Sequence, residues 1–328
     1  MAADKLYVVT GGAGFIGSNV AQALAERGER VVVVDWLGVG DKWKNLADIA
    51  LHDLVRPDAV MDWLAENRDE VAAVVHMGAI SATTERDGDR LVSENIRLTL
   101  DLWDWCTGHE VPFVYASSAA TYGDGLEGFD DDGSPEGLAR LKPMNGYGWS
   151  KHTVDRRIAL DVAEGRRAPP VWAGLKFFNV YGPREGQKGE MRSVALKLYE
   201  TLSAGGRATL FRSHRPDYAD GGQLRDFVHV ADCAAVILWI LDQSRFSGLY
   251  NLGTGQARSF LDLATAVFKG MGIDPEITYV DMPEAIRDRY QYFTEARMER
   301  LRQAGYRAPF TSLEDGVAGY VAWLKAQG

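Results

Sequence analysis

Only Cys106 and Cys233 occur in the chain of 328 residues. Two thiols cannot build a disulfide framework, and no Cys-x-x-Cys pair is present. The 6 histidines are scattered without metal-ligand spacing, so no metal centre is expected. No run of ~18 or more apolar residues occurs, which argues against a membrane-spanning helix. Met1 to Lys5 lead straight into a strand-like run without an apolar signal core, and a cytoplasmic protein is expected. A basic surplus is lacking too: 36 Lys and Arg stand against 46 Asp and Glu, a formal net charge of −10. General nucleic-acid binding is therefore not expected. An anionic ligand stays open, because backbone N–H groups and a few local cations can hold a phosphate against the global charge. Internal repeats and low-complexity segments are also missing.

The first half alternates strand and helix patterns. Leu6 to Thr10 is a short apolar run, and helical apolar spacing follows from Ile16 to Glu26. Arg30 to Asp35 contains Val31, Val32, Val33 and Val34 in succession, as in a strand buried on both faces. Val71 to His76 and Val111 to Ser117 repeat that pattern, with a helical stretch from Leu91 to Thr107 between them. The expected fold class is α/β, a Rossmann-type doubly wound parallel sheet with a smaller mixed α/β lobe. Beyond Lys176 the regularity loosens. Arg212 to Leu224 is polar, carries Pro216, Gly221 and Gly222, and reads as a long surface loop or lid. Strands are expected at Phe227 to Val230 and Leu249 to Leu252, and helices near Leu261 to Gly270 and Leu313 to Lys325. This places a nucleotide-binding domain at 1–175 and 226–255, and a substrate lobe at 176–225 and 256–328.

Between the first strand and first helix lies Gly11-Gly12-Ala13-Gly14-Phe15-Ile16-Gly17. Gly11 permits a tight turn, Gly14 lets the backbone approach a pyrophosphate, and Gly17 allows helix and strand to pack closely. The helix N-terminus then offers N–H groups and a positive dipole end to phosphates. Asp35 follows the second strand, ~20 residues after the turn, where a carboxylate accepts from a ribose hydroxyl. That favours NAD. Lys42 lies a few residues on and supplies a compensating charge that suits NADP, so the two signals conflict. Asp53 is a candidate adenine contact, equally readable as a loop aspartate.

Tyr147 and Lys151 are spaced i, i+4 and share a helix face. A phenol of pKa ~10 is a poor base at neutral pH, and a nearby ammonium should lower that value. Lys151 can also hydrogen-bond a nicotinamide ribose. Ser118 ends the fifth strand, where ligands bind in open α/β sheets, and its hydroxyl can hold a substrate oxygen while Tyr147 moves the proton.

These motifs, with Arg225-Asp226-Phe227-Val228-His229-Val230 and Asn251-Leu252-Gly253-Thr254-Gly255, resemble the nucleotide-sugar epimerase/dehydratase branch of the extended short-chain dehydrogenases. The resemblance spans nearly the whole chain. The 4,6-dehydratases of that branch carry an acidic pair after the strand-end serine and threonine. Here Ala119-Ala120-Thr121-Tyr122 holds no carboxylate, so elimination is disfavoured. UDP-hexose 4-epimerases remain compatible with the core motifs. The run Pro183-Arg184-Glu185-Gly186-Gln187-Lys188-Gly189-Glu190-Met191 is similar to the ADP-glyceromanno-heptose 6-epimerases, as are Arg289-Tyr290-Gln291 and the segment from Glu314 to Leu324.

That resemblance implies NADP, with NAD as the alternative, and an ADP-heptose substrate inverted at C6″ for the lipopolysaccharide inner core. It also implies a homo-oligomer, a pentamer. Oxidation gives a 6″-ketone, which turns over before hydride returns to its opposite face. The oxygen then needs a second acid/base partner, and Lys188 is implied for it beside Tyr147. Phe15, Ile16, Trp36, Met77, Gly78, Ala79, Ile80, Ser81, Asn95 and Val180 are implied on the cofactor side. Asn179, Glu190, Lys197, Phe211, Arg212, Ser213, His214, Arg225 and Tyr290 are implied on the substrate side. Met77 and Ile80 stand where the family pattern has an acidic residue and a cysteine, and Trp36 stands for its asparagine. The loop from Arg212 is longer than the family's. A nucleotide-sugar epimerase acting at another carbon is the runner-up. A non-catalytic cofactor-bound sensor is the remote alternative, disfavoured because both Tyr147 and Lys151 are present.

Overall fold

The computed structural model describes residues 5–287 and 290–327. Residues 1–4 of the N-terminal reading, and Arg289 of the Arg289-Tyr290-Gln291 motif, lie outside them.

Seven parallel strands form one sheet: β1 (Leu6–Thr10), β2 (Arg30–Val34), β3 (Leu51–Val55), β4 (Val71–His76), β5 (Phe113–Ser118), β6 (Val171–Phe177) and, after three strands outside it, β10 (Phe246–Leu252). The order across the sheet is β10-β6-β5-β4-β1-β2-β3. Every pair runs parallel, so helices must make the crossovers and cover both faces. Helices Phe15–Glu26 and Val230–Leu241 bury Val20, Leu24, Val236 and Ile240 against one face. Helices Leu98–His109 and Gly146–Ala163 bury Leu102, Trp103, Val154 and Ile158 against the other. The chain reverses its direction of travel between β1 and β4, and the C-terminal ends of those two strands open the cleft where doubly wound sheets bind ligands.

The smaller lobe has its own core. Strands β7 (Asn179–Tyr181), β9 (Leu224–His229) and β11 (Ala257–Ser259) form one small sheet, and β8 (Ala208–Phe211) pairs with β12 (Ile277–Val280) in another. Tyr181, Leu196, Leu210, Phe227, Val267, Phe268, Val317 and Tyr320 close around each other there. The expected segment 226–255 divides: β9 sits in the small sheet, whereas helix Val230–Leu241 and β10 belong with the large one. Lys176, placed by the sequence at the start of the substrate lobe, lies inside β6.

His76 ends β4 with its ring fully buried between two threonines. Thr99 Oγ1 donates to the Asn95 carbonyl at 2.6 Å, so it receives the His76 Nε2 proton at 2.9 Å. Nδ1 is then the acceptor for the Thr10 hydroxyl at 2.6 Å. Burial, assisted by the Lys151 charge, pushes the imidazole down to about 3. An unfolded chain protonates this ring near pH ~6.5. The folded form does not, so the unfolded state binds the extra proton and stability falls as pH drops from ~6.5 towards 3. His76 should account for ~2 kcal/mol of lost stability by pH 5. Denaturant melts at pH 7.5 and 5 measure this. A His76→Gln variant must show a shallower pH dependence than the parent, and equal slopes would refute the assignment.

Candidate active site

The glycine turn has the geometry its spacing predicts. Gly11 adopts a left-handed backbone, φ 62°, and a Cβ there would lie 2.5 Å from the Gly78 amide nitrogen. A Cβ on Gly17 would lie 2.2 Å from the Gly11 carbonyl oxygen. Both positions therefore exclude every side chain, for steric reasons alone. Gly14 differs, because its Cβ would touch only the Gly11 carbonyl group, and it caps the following helix without a side-chain hydrogen bond. Phe15 and Ile16 open that helix. The Met77–Ser81 loop lies against the turn: the Met77 amide donates to the Thr10 carbonyl at 3.0 Å and Gly78 to Thr10 Oγ1 at 3.3 Å. Ala79 and Ser81 are exposed at its open end, with Ile80 half-buried between them.

Asp35 follows β2 directly and is already engaged. One carboxylate oxygen accepts the Ala13 amide at 2.9 Å and the other the Lys42 ammonium at 2.6 Å. The conflict between Asp35 and Lys42 resolves locally into an ion pair. Trp36 is partly exposed and lies under the Arg56 guanidinium, 4.8 Å from its ring centre. Arg56, at the end of β3, escaped the sequence reading because that edge strand carries exposed residues at its centre. Asp53 pairs with Val32 inside the sheet, and its carboxylate accepts the indole N–H of Trp63, a helix side chain, at 2.8 Å.

Ser118 ends β5 and its hydroxyl oxygen accepts the Ala120 amide at 3.1 Å. Asn145 caps helix Gly146–Ala163 by accepting the Gly148 amide at 2.8 Å, which starts the helix just before Tyr147. A Cβ on Gly148 would meet the Ala120 carbonyl at 2.7 Å, so only glycine lets the helix approach the strand end this closely. Tyr147 is half-buried and hydrogen-bonds Ser118. The expected depression of its phenol does not prevail. Burial raises it above the ordinary value, the Ser118 hydrogen bond opposes this, and the Asp155 carboxylate adds to the rise. Lys151 is 2% exposed, and its ammonium is among the buried groups with no hydrogen-bond partner. Burial lowers it to about 8, partly offset by Asp155. A buried, unpartnered ammonium is what a sugar hydroxyl of a dinucleotide would complete, and the helix begun at Gly14 has no side-chain cap to compete with a phosphate, so these residues fit such a group.

The Asn95 side chain is fully buried, accepting the Ile80 amide at 2.8 Å and donating to the Ile80 carbonyl at 3.0 Å and to Ser150 Oγ at 2.9 Å. It fixes the loop after β4 against the Tyr147 helix. Asn179 and Val180 open β7 immediately beyond the end of β6, with Asn179 exposed.

Lys188 lies in a short helical turn, Gly186–Met191, with its ammonium 5.1 Å above the Phe15 ring. Burial lowers its pKa, with the Glu185 carboxylate acting in the opposite sense. Three side chains join this loop to the glycine turn. Asn45 donates to the Ala13 carbonyl at 3.0 Å and the Arg184 carbonyl at 3.1 Å. Asn19 donates to the Phe15 carbonyl at 2.8 Å and the Pro183 carbonyl at 3.0 Å. Arg184 adopts φ 71°, rare for a residue with a Cβ, and its guanidinium reaches Ser18 O and Gln22 Oε1. Neither asparagine carried a sequence signal, since each acts on backbone carbonyls brought near only by the fold. Glu190 and Lys197 face each other: the Lys197 ammonium donates to the Glu190 carbonyl at 2.6 Å, with the carboxylate at 3.4 Å.

On the far side of the cleft, Arg225 lies between Phe260 and Tyr290, its guanidinium 5.6 and 5.2 Å from their ring centres. Its guanidinium donates to the Leu224 carbonyl at 2.8 Å. A stacked guanidinium with donors to spare suits a diphosphate. Phe211 meets Tyr290 edge-on at 6.2 Å. The loop beyond it is ordered by its own contacts. Ser213 receives and gives hydrogen bonds within the loop, His214 is tied to Tyr292 and Met282, and Arg212 pairs with Asp281 at 3.6 Å. Ser213 and His214 thus shape this wall, while Arg225 and Tyr290 line it.

A sequence model of the NAD dependent epimerase/dehydratase family matches residues 7–253. The chain belongs to this family. It is 51% identical over 319 residues to an ADP-L-glycero-D-manno-heptose-6-epimerase of Nitratidesulfovibrio vulgaris, covering 96% of this chain and 97% of that one. The crystal structure of the Helicobacter pylori ADP-L-glycero-D-manno-heptose-6-epimerase superposes with a TM-score of 0.81 at 27% identity, covering 99% and 97% of the two chains. A Thermus thermophilus UDP-glucose 4-epimerase in complex with NAD gives a TM-score of 0.77 at 26% identity, covering 98% and 100%. Family membership makes the chain an epimerase-type enzyme with a Rossmann-type fold. Among the described residues no helix is long and apolar enough to cross a membrane.

Proposed function

We propose that the chain inverts C6″ of an ADP-activated heptose, as an ADP-L-glycero-D-manno-heptose 6-epimerase, by transient oxidation with bound NADP. The observation that carries this reading is a pair of separate proton-transfer groups at the C-terminal edge of one sheet. Tyr147 sits on Ser118 at the end of β5, and Lys188 sits over Phe15 just beyond β1. An epimerase whose ketone turns over needs both, because the carbonyl oxygen occupies a different place before and after the turn.

In one orientation Ser118 and Tyr147 hold the C6″ oxygen, and Tyr147 takes its proton, with the Lys151 charge favouring the phenolate. A nicotinamide dinucleotide held by the Gly11–Gly17 turn and Lys151 would supply the hydride acceptor and donor. In the other orientation Lys188 handles the proton, and burial brings its pKa closer to neutrality for that task. Arg225, stacked on Tyr290, holds the diphosphate through both stages. NADP is favoured over NAD by two cations beside the expected adenine ribose: Lys42, which already offsets Asp35, and Arg56 on Trp36.

Incubation with ADP-D-glycero-D-manno-heptose should invert C6″, read by proton NMR, while UDP-galactose should remain unchanged. Dinucleotide released from the denatured protein should carry a 2′-phosphate in its mass spectrum. Turnover of UDP-galactose alone would overturn the substrate assignment, and release of NAD alone the cofactor assignment.

A further inference from the structure

Beneath the catalytic side chains lies an ion pair sealed from water. Asp155 and Lys176 have side chains 0% and 1% exposed and meet at 2.8 Å. Asp155 sits one helical turn after Lys151 on helix Gly146–Ala163, and Lys176 sits in β6. The carboxylate is fully served: Tyr115 donates at 3.0 Å and Ser117 at 2.7 Å, both from β5, alongside Lys176. The lysine donates again to Thr121 Oγ1 at 2.7 Å, and Thr121 donates to the Ser118 carbonyl at 2.8 Å. Lys176 also lies 5.0 Å from the centre of the Tyr122 ring.

A hydrophobic contact of equal volume would hold these elements together at lower electrostatic cost, since desolvating two charges offsets much of their attraction. The pair must therefore be judged by where it sits. Its hydrogen bonds run from the helix that carries Tyr147 and Lys151 to the strand end that carries Ser118. We propose that Asp155 and Lys176 are positioning residues, which set the spacing of Tyr147 from Ser118 and keep a carboxylate charge near both Tyr147 and Lys151. This rests on the reading of Tyr147 as the proton-transfer group.

The charge has a direction. The Asp155 carboxylate raises both the Tyr147 phenol and the Lys151 ammonium. The other ionisable groups facing this site are His76 from β4, His152 beside Lys151, and Tyr115 and Tyr122 from β5 and the turn after it. Burial holds His76 at about 3 and His152 at about 4, so both are neutral at pH 7. Tyr115 and Tyr122 are pushed well above the ordinary phenol range. Between pH 6 and 9 the Lys151 ammonium, at about 8, is then the group of this cluster that responds.

The test is the pH profile of kcat and kcat/KM for Asp155→Asn in the full-length holoenzyme. The expected result is a kcat lowered by ~10- to 100-fold through misplacement, with the acid limb moved to lower pH by roughly half a unit or more. ADP binding by calorimetry, which reports the nucleotide wall, should stay unchanged. Should the single variant fail to fold, Asp155→Asn with Lys176→Met removes both charges together; its kcat should fall by the same factor with a smaller shift of the acid limb, because the two charges act in opposite senses. An Asp155→Asn variant that folds with its acid limb in place, or a double variant with unchanged kcat, overturns the proposal and leaves the pair a packing device. Tyr147→Phe is the separate control. Loss of the acid limb there supports the parent reading, and a retained limb refutes that reading rather than the role of the pair.

Discussion

Lys188→Met should abolish epimerisation while leaving one half of the chemistry in place. A general acid/base group accounts for ~10²- to 10⁴-fold in rate, and losing it should remove inversion by that factor. Tyr147, Ser118 and Lys151 lie on other elements and keep their geometry. The variant should therefore still oxidise the epimer that places its C6″ oxygen at Tyr147. Reduced-nicotinamide absorbance should build up on mixing with that epimer, whereas the parent enzyme returns the hydride. The fold has little to lose, because methionine retains the apolar stem that packs on Phe15 and gives up only the cation above the ring. Normal inversion by the variant would exclude Lys188 as the second group. Inactivity of the variant towards both epimers, with no oxidation at all, would also count against it.

A second substitution should move stability and activity in opposite directions. Lys151→Met removes a buried ammonium that has no hydrogen-bond partner in the ligand-free protein. Burial holds that ammonium at about 8, below its ordinary value near 10.5. A lowered lysine destabilises the folded state wherever the unfolded chain is protonated and the folded one resists it. The penalty grows as pH falls from ~10.5 to 8 and is complete below 8. At pH 7 replacing the ammonium should thus stabilise the protein by roughly 3 kcal/mol. Catalysis should nevertheless fall by ~10²-fold or more, since the phenolate loses its neighbouring charge. Melting curves and turnover on one preparation test both arms. A melting point below the parent's would mean that Lys151 has a partner which stabilises it.

Much of this was legible beforehand because it depends on local spacing. Gly11, Gly14 and Gly17 are adjacent in the chain, and so are Tyr147 and Lys151; a turn and a helix convert those intervals directly into geometry. Valine runs give buried strands for the same reason, and four of the first five strands follow them closely. What escaped was set by distance in sequence. Asp53 and Arg56 are neighbours in the chain, yet the pleat and the strand end give them opposite fates. Asn95 was implied on the cofactor side by the resemblance alone, and its hydrogen bonds to Ile80 and Ser150 had no local signal. Asp155 and Lys176 read as an ordinary helix acid and an ordinary lysine until the sheet brings them together.

The three bridges from Asn19, Asn45 and Arg184 carry one last consequence. They tie the glycine turn and its helix to the loop bearing Lys188, so on the proposed reading the spacing between the hydride partner and the second proton partner would be built before any sugar arrives. In a reaction whose intermediate must present its other side, the walls therefore have no need to move. The vessel stands still and its contents turn, which makes the freedom of the sugar, and not of the protein, the quantity that sets whether inversion succeeds.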